Sequence, residues 1–96
     1  MPVPTEFALH NNYPNPFNPT TTIAYDLPQD GNVRLIIYDV MGREVTRLVN
    51  GFTPAGYHNV RWDARNAFGE QVSAGVYFYH LQSGAHVKTQ KMVLLK

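Results

Sequence analysis

Ninety-six residues, 44% of them hydrophobic and 16% charged, suffice for one domain with a single core and are too apolar for a disordered chain. Eight basic residues against seven acidic ones leave almost no net charge, which argues against a nucleic-acid or polybasic membrane role. There is no cysteine, so disulfides and thiolate metal sites are excluded.

The lead-in MPVPTEF lacks the basic and apolar regions of a signal peptide. No stretch reaches the apolar length that spans a bilayer. Residues 1–6 read as a linker or a cloning remnant, and residues 7–96 as the folded domain. Phe7 and Leu9 belong to a first, edge-like strand.

The segment NNYPNPFNPTTT, residues 11–22, follows. Proline fixes φ, removes a backbone donor and forces the preceding residue into extended geometry. Asparagine before proline favours the start of a turn. The segment is therefore a stiff, stepped hook that holds Tyr13 and Phe17 at fixed places. Its direct physical role is to plug the sandwich edge with Tyr13 and Phe17. Pro14, Pro16 and Pro19 meanwhile prevent edge-to-edge pairing.

Beyond the hook, turn signals recur about every ten residues, the spacing of a β-sandwich or barrel. They fall at 28–32, 41–42, 50–56, 64–69 and 82–85. Between them lie short runs rich in Val, Ile, Thr and aromatics, and none has helical periodicity. Alternation assigns the core faces. Ile23, Tyr25 and Leu27 share one, and Val33, Leu35 and Ile37 the next. EVTRLV places Val45 and Leu48 three apart, which predicts a bulge or irregular strand. His58, Val60 and Trp62 form a further face, as do Tyr77, Tyr79 and Leu81. The last run, HVKTQKMVLLK, changes parity, so it contains either a bulge near Lys88–Lys91 or a terminal strand buried on both faces. The expectation is an all-β fold, a seven-stranded antiparallel two-sheet immunoglobulin-like sandwich.

Chemistry is sparse. His10, His58, His80 and His86 form no metal-binding pair, and no nucleophile elbow, P-loop or zincin motif is present. His58, on a core face, reads as a hydrogen-bonded structural residue. Asp63, Asn66 and Glu70 share a loop, but two carboxylates outside the usual Asp-rich spacing are a poor calcium site. Asp63 and Asn66 read as turn caps. Trp62, Tyr77 and Tyr79 could stack on sugars only from an exposed platform, and alternation buries them, leaving Tyr57 and Phe78 scattered outside. No catalytic residue, metal or cofactor is expected.

The ordered set FALHNNYPNPFNPTTTIAYDLP, VRLIIYDVMGREVTRLV, PAGYHNVRWDAR, SAGVYFYHLQSG and KTQKMVLLK resembles the type A C-terminal sorting domain of type IX secretion cargo proteins. The resemblance runs from about Phe7 to Lys96. The stretch WDARNAFGEQVSAGVYFY is also similar to the immunoglobulin-like domain of flagellar hook-capping proteins, which lacks the hook. The first resemblance implies a non-catalytic passenger tag on a larger secreted protein. Its partners would be the outer-membrane translocon and the cell-surface processing machinery, and the isolated domain would be a monomer. Carried over by position, the motif residues are Asn12, Tyr13, Pro14, Asn15, Pro16, Phe17, Asn18 and Pro19 in the hook. Gly42 marks a tight turn, and Gly75, Val76 and Tyr77 open the penultimate strand. Lys91, Met92, Val93, Leu94, Leu95 and Lys96 form the terminal signal. Two other classes remain open, a carbohydrate-binding or adhesion module and a structural spacer of a secreted enzyme.

Overall fold

The computed structural model of the chain describes residues 2–95. Lys96, the last residue of the expected terminal signal, lies outside the described residues. Seven strands follow in chain order: β1 (Ala8–Leu9), β2 (Thr21–Leu27), β3 (Gly31–Asp39), β4 (Glu44–Thr53), β5 (Gly56–Trp62), β6 (Gly75–Ser83) and β7 (His86–Leu94). All strand pairings are antiparallel. One sheet has the order β1-β2-β5 and the other β4-β3-β6-β7, an immunoglobulin-like sandwich. Among the described residues no helix is long and apolar enough to cross a membrane.

Alternation predicts the core because each strand has one face packed against the opposite sheet. Ile23, Leu27, Val33, Leu35, Ile37, Tyr79 and Leu81 are fully buried, with Tyr25, Trp62 and Tyr77 nearly so. Val60 packs partly buried against them. His58 is half-buried, its ring stacked 5.2 Å from that of Tyr25 and its Nε2 2.8 Å from the Pro54 carbonyl oxygen. It is the structural histidine its position suggests. Ile36 is also buried, although it sits on the outer face of β3 between its cross-strand neighbours Arg47 and His80.

β4 has the predicted irregularity, twice. Its pairing with β3 shifts between Leu35 and Ile36 and again between Ile37 and Tyr38, leaving Leu48 and Val45 unpaired opposite the ladder. Each bulge resets the strand's parity, so residues three apart both reach the core, where Val45 and Leu48 pack partly buried.

Two expectations about the strands need correction. The turn assigned to residues 50–56 is mostly strand, because β4 continues through Thr53. Pairing to the first residues of β3, Thr53 with Gly31 and Phe52 with Asn32, outweighs the turn preference of Asn50–Gly51. β7 contains no bulge and is not buried on both faces. Its register with β6 is unbroken from His86 opposite Ser83 to Leu94 opposite Gly75. The parity change was apparent only. The inward residues begin polar at His86, Lys88 and Gln90, where two-residue β1 covers little of the sheet, and become apolar at Met92 and Leu94. The Gln90 side chain donates to the Leu9 carbonyl at 3.2 Å, and the His86 ring stacks 4.9 Å from Phe7.

Candidate functional site

The hook begins in one sheet and ends in the other. Tyr13 pairs with Thr22 of β2 through reciprocal backbone hydrogen bonds of 3.0 and 2.9 Å. Four residues later, Phe17 makes a parallel bridge to Leu94 of β7. The Phe17 amide donates to the Val93 carbonyl at 3.0 Å, and the Leu95 amide donates to the Phe17 carbonyl at 2.9 Å. Asn15 adds a side-chain contact, its Oδ1 accepting from the Val93 amide at 3.1 Å. The Tyr13–Pro14, Asn15–Pro16 and Asn18–Pro19 peptide bonds are cis.

Asn12 anchors the hook from beneath. It is 97% buried as a residue, at 3% exposure. Its amide donates to the Tyr79 hydroxyl at 2.9 Å, and that hydroxyl donates to the His10 carbonyl at 2.7 Å. Its Nδ2 donates to Thr21 Oγ1 at 3.0 Å and to the Pro14 carbonyl at 3.2 Å, which also accepts from Thr21 Oγ1 at 2.9 Å. A buried polar network of this kind fixes a loop because each unmade bond leaves a desolvated group behind. Burial raises the Tyr79 pKa above its ordinary value, with the Asn12 amide opposing.

The two hook aromatics have different fates. Phe17 is buried, its ring 5.8 Å from Trp62. Tyr13 is 81% exposed, so the expectation that both plug the edge is corrected to Phe17 alone. Tyr13 contributes its backbone to β2, and its side chain points to solvent. Pro14, Pro16 and Pro19 have no amide hydrogen to offer a further strand, and the backbone between them covers the outer edge of β7 at Val93–Leu95.

Of the expected motif residues, those of the hook, of the start of β6 and of the terminal strand through Leu95 lie together here. Gly75, Val76 and Tyr77 of β6 pair directly with Leu94, Val93 and Met92. The last residues of β7 thus lie between the start of β6 on one edge and the hook on the other. Met92 and Leu94 point into the core and are buried, whereas Lys91 is exposed, Val93 half-buried and Leu95 50% exposed. Tyr77 is buried with its hydroxyl donating to the Ser73 carbonyl at 2.6 Å, and burial foremost, then the nearby Asp39 charge, raises its pKa. Gly42 stands apart in the β3–β4 turn with φ of +82°, a conformation that strains any residue with a Cβ. Asp39 closes that turn, and the Arg43 amide, before other contacts, lowers its carboxyl pKa.

In the neighbouring loop, Asn66 is the turn cap it was expected to be. Its Oδ1 accepts from the Phe68 and Glu70 amides at 2.9 and 3.0 Å. Asp63 is not a cap, since it pairs instead with Arg65 Nε at 3.4 Å. The sequence pointed to none of the contacts between hook and terminal strand, and the exposure of Met41 and Phe68 (75% and 88%) was also missed.

Comparison with solved structures places this fold among known ones. It aligns with dimeric latent PorU from Porphyromonas gingivalis at a TM-score of 0.70 and 22% identity, over 95% of this chain and 10% of that one. It aligns with PorZ, a surface component of the type-IX secretion system of the same organism, at 0.61 and 24%, over 94% and 11%. FlgD from P. aeruginosa matches at 0.61 and 28%, over 77% of this chain and 57% of that one. The chain thus spans about a tenth of PorU and of PorZ. No curated protein matches it. Residues 11–95, from the first hook asparagine to the end of the clasped strand, match the family described as the secretion system C-terminal sorting domain, and the chain belongs to that family.

Proposed function

We propose that this domain is the address by which a larger secreted protein is passed through the type IX outer-membrane translocon. Membership of the family makes it a sorting signal for type IX secretion and indicates export to the cell surface or medium. The family is one of non-catalytic signal modules. The translocon, the processing machinery and a monomeric isolated state belong to the proposal.

The observation that supports this reading is the clasp of hook on terminal strand. A linear tag would leave the last residues free. Here Phe17, Asn15 and the start of β6 hold Val93 to Leu95 in one conformation. A receptor can therefore meet a folded shape whose outward groups are Lys91, Val93 and Leu95, with little ordering cost on binding.

The test is a signal-peptide–reporter–domain fusion in a type IX host. The intact fusion is expected in the medium or on the surface. Changing Lys91→Gln, Lys96→Gln and Leu95→Ser together is expected to retain the reporter in the periplasm while the purified domain melts unchanged. Full secretion of that variant would overturn the role of the terminal residues. Periplasmic retention of the intact fusion would overturn the sorting role in this host and favour the adhesion or spacer reading.

A further inference from the structure

The hook covers only one end of β7. Its bonds there go to the Val93 carbonyl, from the Phe17 amide at 3.0 Å, and to the Leu95 amide, which donates to the Phe17 carbonyl at 2.9 Å. In an antiparallel ladder the backbone groups of successive residues turn alternately to one edge and to the other. The register of β7 with β6 is unbroken from His86 to Leu94, so Val87, Thr89 and Lys91 turn their amides and carbonyls to the edge that the hook meets at Val93. β7 ends its sheet, and β6 is its ladder partner. Among the described residues nothing bonds to the outward backbone of Val87, Thr89 or Lys91. β1 lies against the inner face instead, where Gln90 Nε2 donates to the Leu9 carbonyl at 3.2 Å and the His86 ring stacks on Phe7. An open edge of about 20 Å, at roughly 3.3 Å per residue, therefore runs from His86 to Lys91.

Two other long strands also end a sheet. β4 is broken by its two bulges, and its Val45 carbonyl is taken by the Ala67 amide at 3.2 Å. β5 is regular, but its one strongly basic residue, Arg61, stands two positions before Asp63. The open run of β7 differs from both. It holds His86, Lys88 and Lys91, all exposed, and no acid. Neither lysine has an ion-pair partner among the described residues. Glu6 and Asp30 line the shallow depression at the His86 end together with Lys88. Asp30 there accepts from the Ala55 amide at 2.7 Å, and Glu6 makes no ion pair among the described residues.

We propose that the His86–Lys91 edge of β7 takes up an extended, acidic segment of a partner protein as an added strand. The proposal goes beyond the sorting reading and does not rest on it. The backbone selects the kind of occupant, because open amides and carbonyls at every second residue are all satisfied by another extended chain. The side chains select its charge. Cross-strand neighbours of Lys88 and Lys91 stabilise the pairing when they are Asp or Glu and oppose it when they are Lys or Arg. The same rule disfavours a second copy, since pairing two such edges would gather the Lys88 and Lys91 of both chains, and lysine on an edge strand guards against that association. The hook sets the length. Asn15 and Phe17 occupy the edge from Val93 onward, so the added strand pairs over about six residues, roughly the usual length of a strand.

The test follows amide hydrogen exchange by NMR in the 96-residue chain. The probe is an eight-residue peptide of alternating valine and glutamate, with a valine–lysine peptide as control. At saturation the glutamate peptide is expected to slow exchange of the Val87, Thr89 and Lys91 amides at least tenfold, and to bind at least tenfold more tightly than the lysine peptide. Thr89→Pro removes an outward donor and no bond to β6, a place where an edge strand tolerates proline, and is expected to abolish the protection. K88E/K91E reads the same edge without touching the backbone, at exposed positions where substitution changes stability little. It is expected to reverse the preference between the two peptides. Absence of protection in the unsubstituted chain, equal binding of both peptides, or an unchanged preference in K88E/K91E would overturn the proposal. Dimerisation in sedimentation velocity that Thr89→Pro abolished would overturn it in favour of a second copy at this edge.

Discussion

The Phe17 amide donates to the Val93 carbonyl at 3.0 Å, which makes the hook near the start of the domain part of the edge of its last strand. Two stretches far apart in sequence are thereby one structural unit. The hook also covers the Val93–Leu95 end of an edge strand, whose amides and carbonyls there would otherwise be free to pair with another chain.

The side chain of Phe17 should dominate the hook's stability. It is 1% exposed and packs against Trp62, so Phe17→Ala leaves a cavity as well as losing burial, at about 3–5 kcal/mol. Small domains are stable by only about 5–15 kcal/mol, so urea unfolding followed by Trp62 fluorescence should show a large fall in midpoint. Tyr13→Ala, at 81% exposure, should move that midpoint little. Equal effects of the two substitutions would contradict the division of roles between the aromatics.

The Tyr79 hydroxyl bridges the His10 carbonyl and the Asn12 amide. Tyr79→Phe keeps the packing and leaves the buried Asn12 amide and the part-buried His10 carbonyl without this partner, so a loss of about 1–3 kcal/mol is expected. Burial also raises the pKa of Tyr25, Tyr77 and Tyr79 above the ordinary value of 10.0. The native state therefore holds protons that the unfolded chain releases. The stability from these groups is complete below about pH 10 and is lost as pH rises through the folded-state values. Chemical denaturation between pH 8 and 12 should show this alkaline decline. A flat profile would mean that the three hydroxyls are not desolvated.

Much of this architecture was legible because the central strands alternate cleanly. Val33, Leu35 and Ile37 in β3, and Tyr77, Tyr79 and Leu81 in β6, lie on the face that period-two reading assigns. The spacing of Val45 and Leu48 likewise revealed an irregular β4, since no regular strand buries residues three apart. β7 misled because parity was judged from polarity alone. Lys88 and Gln90 share a face with Met92, and only the shortness of β1 explains why they can be polar. The site was less legible still. Nothing local distinguishes Tyr13 from Phe17, both aromatic and both in an Asn/Pro segment. Their fates are set by which sheet each residue's backbone meets, which is a non-local fact.

The terminal signal divides into residues that hold the fold and residues a partner can touch. Met92 and Leu94 are core residues at 0% and 2% exposure, while Lys91 faces solvent. Met92→Ala and Leu94→Ala should each cost about 2–5 kcal/mol, and Lys91→Gln should stay within about 0.5 kcal/mol. Loss of secretion in either alanine variant would therefore report unfolding as readily as lost recognition. Met92→Leu separates the two. It nearly conserves volume and should cost less than about 1.5 kcal/mol, so a fold-reading translocon should export it normally. If Met92→Leu melted like wild type yet stayed in the periplasm, the buried thioether itself would have to be read. The last strand would then have to leave the hook, breaking the Phe17–Val93 and Leu95–Phe17 bonds, before the translocon could engage it.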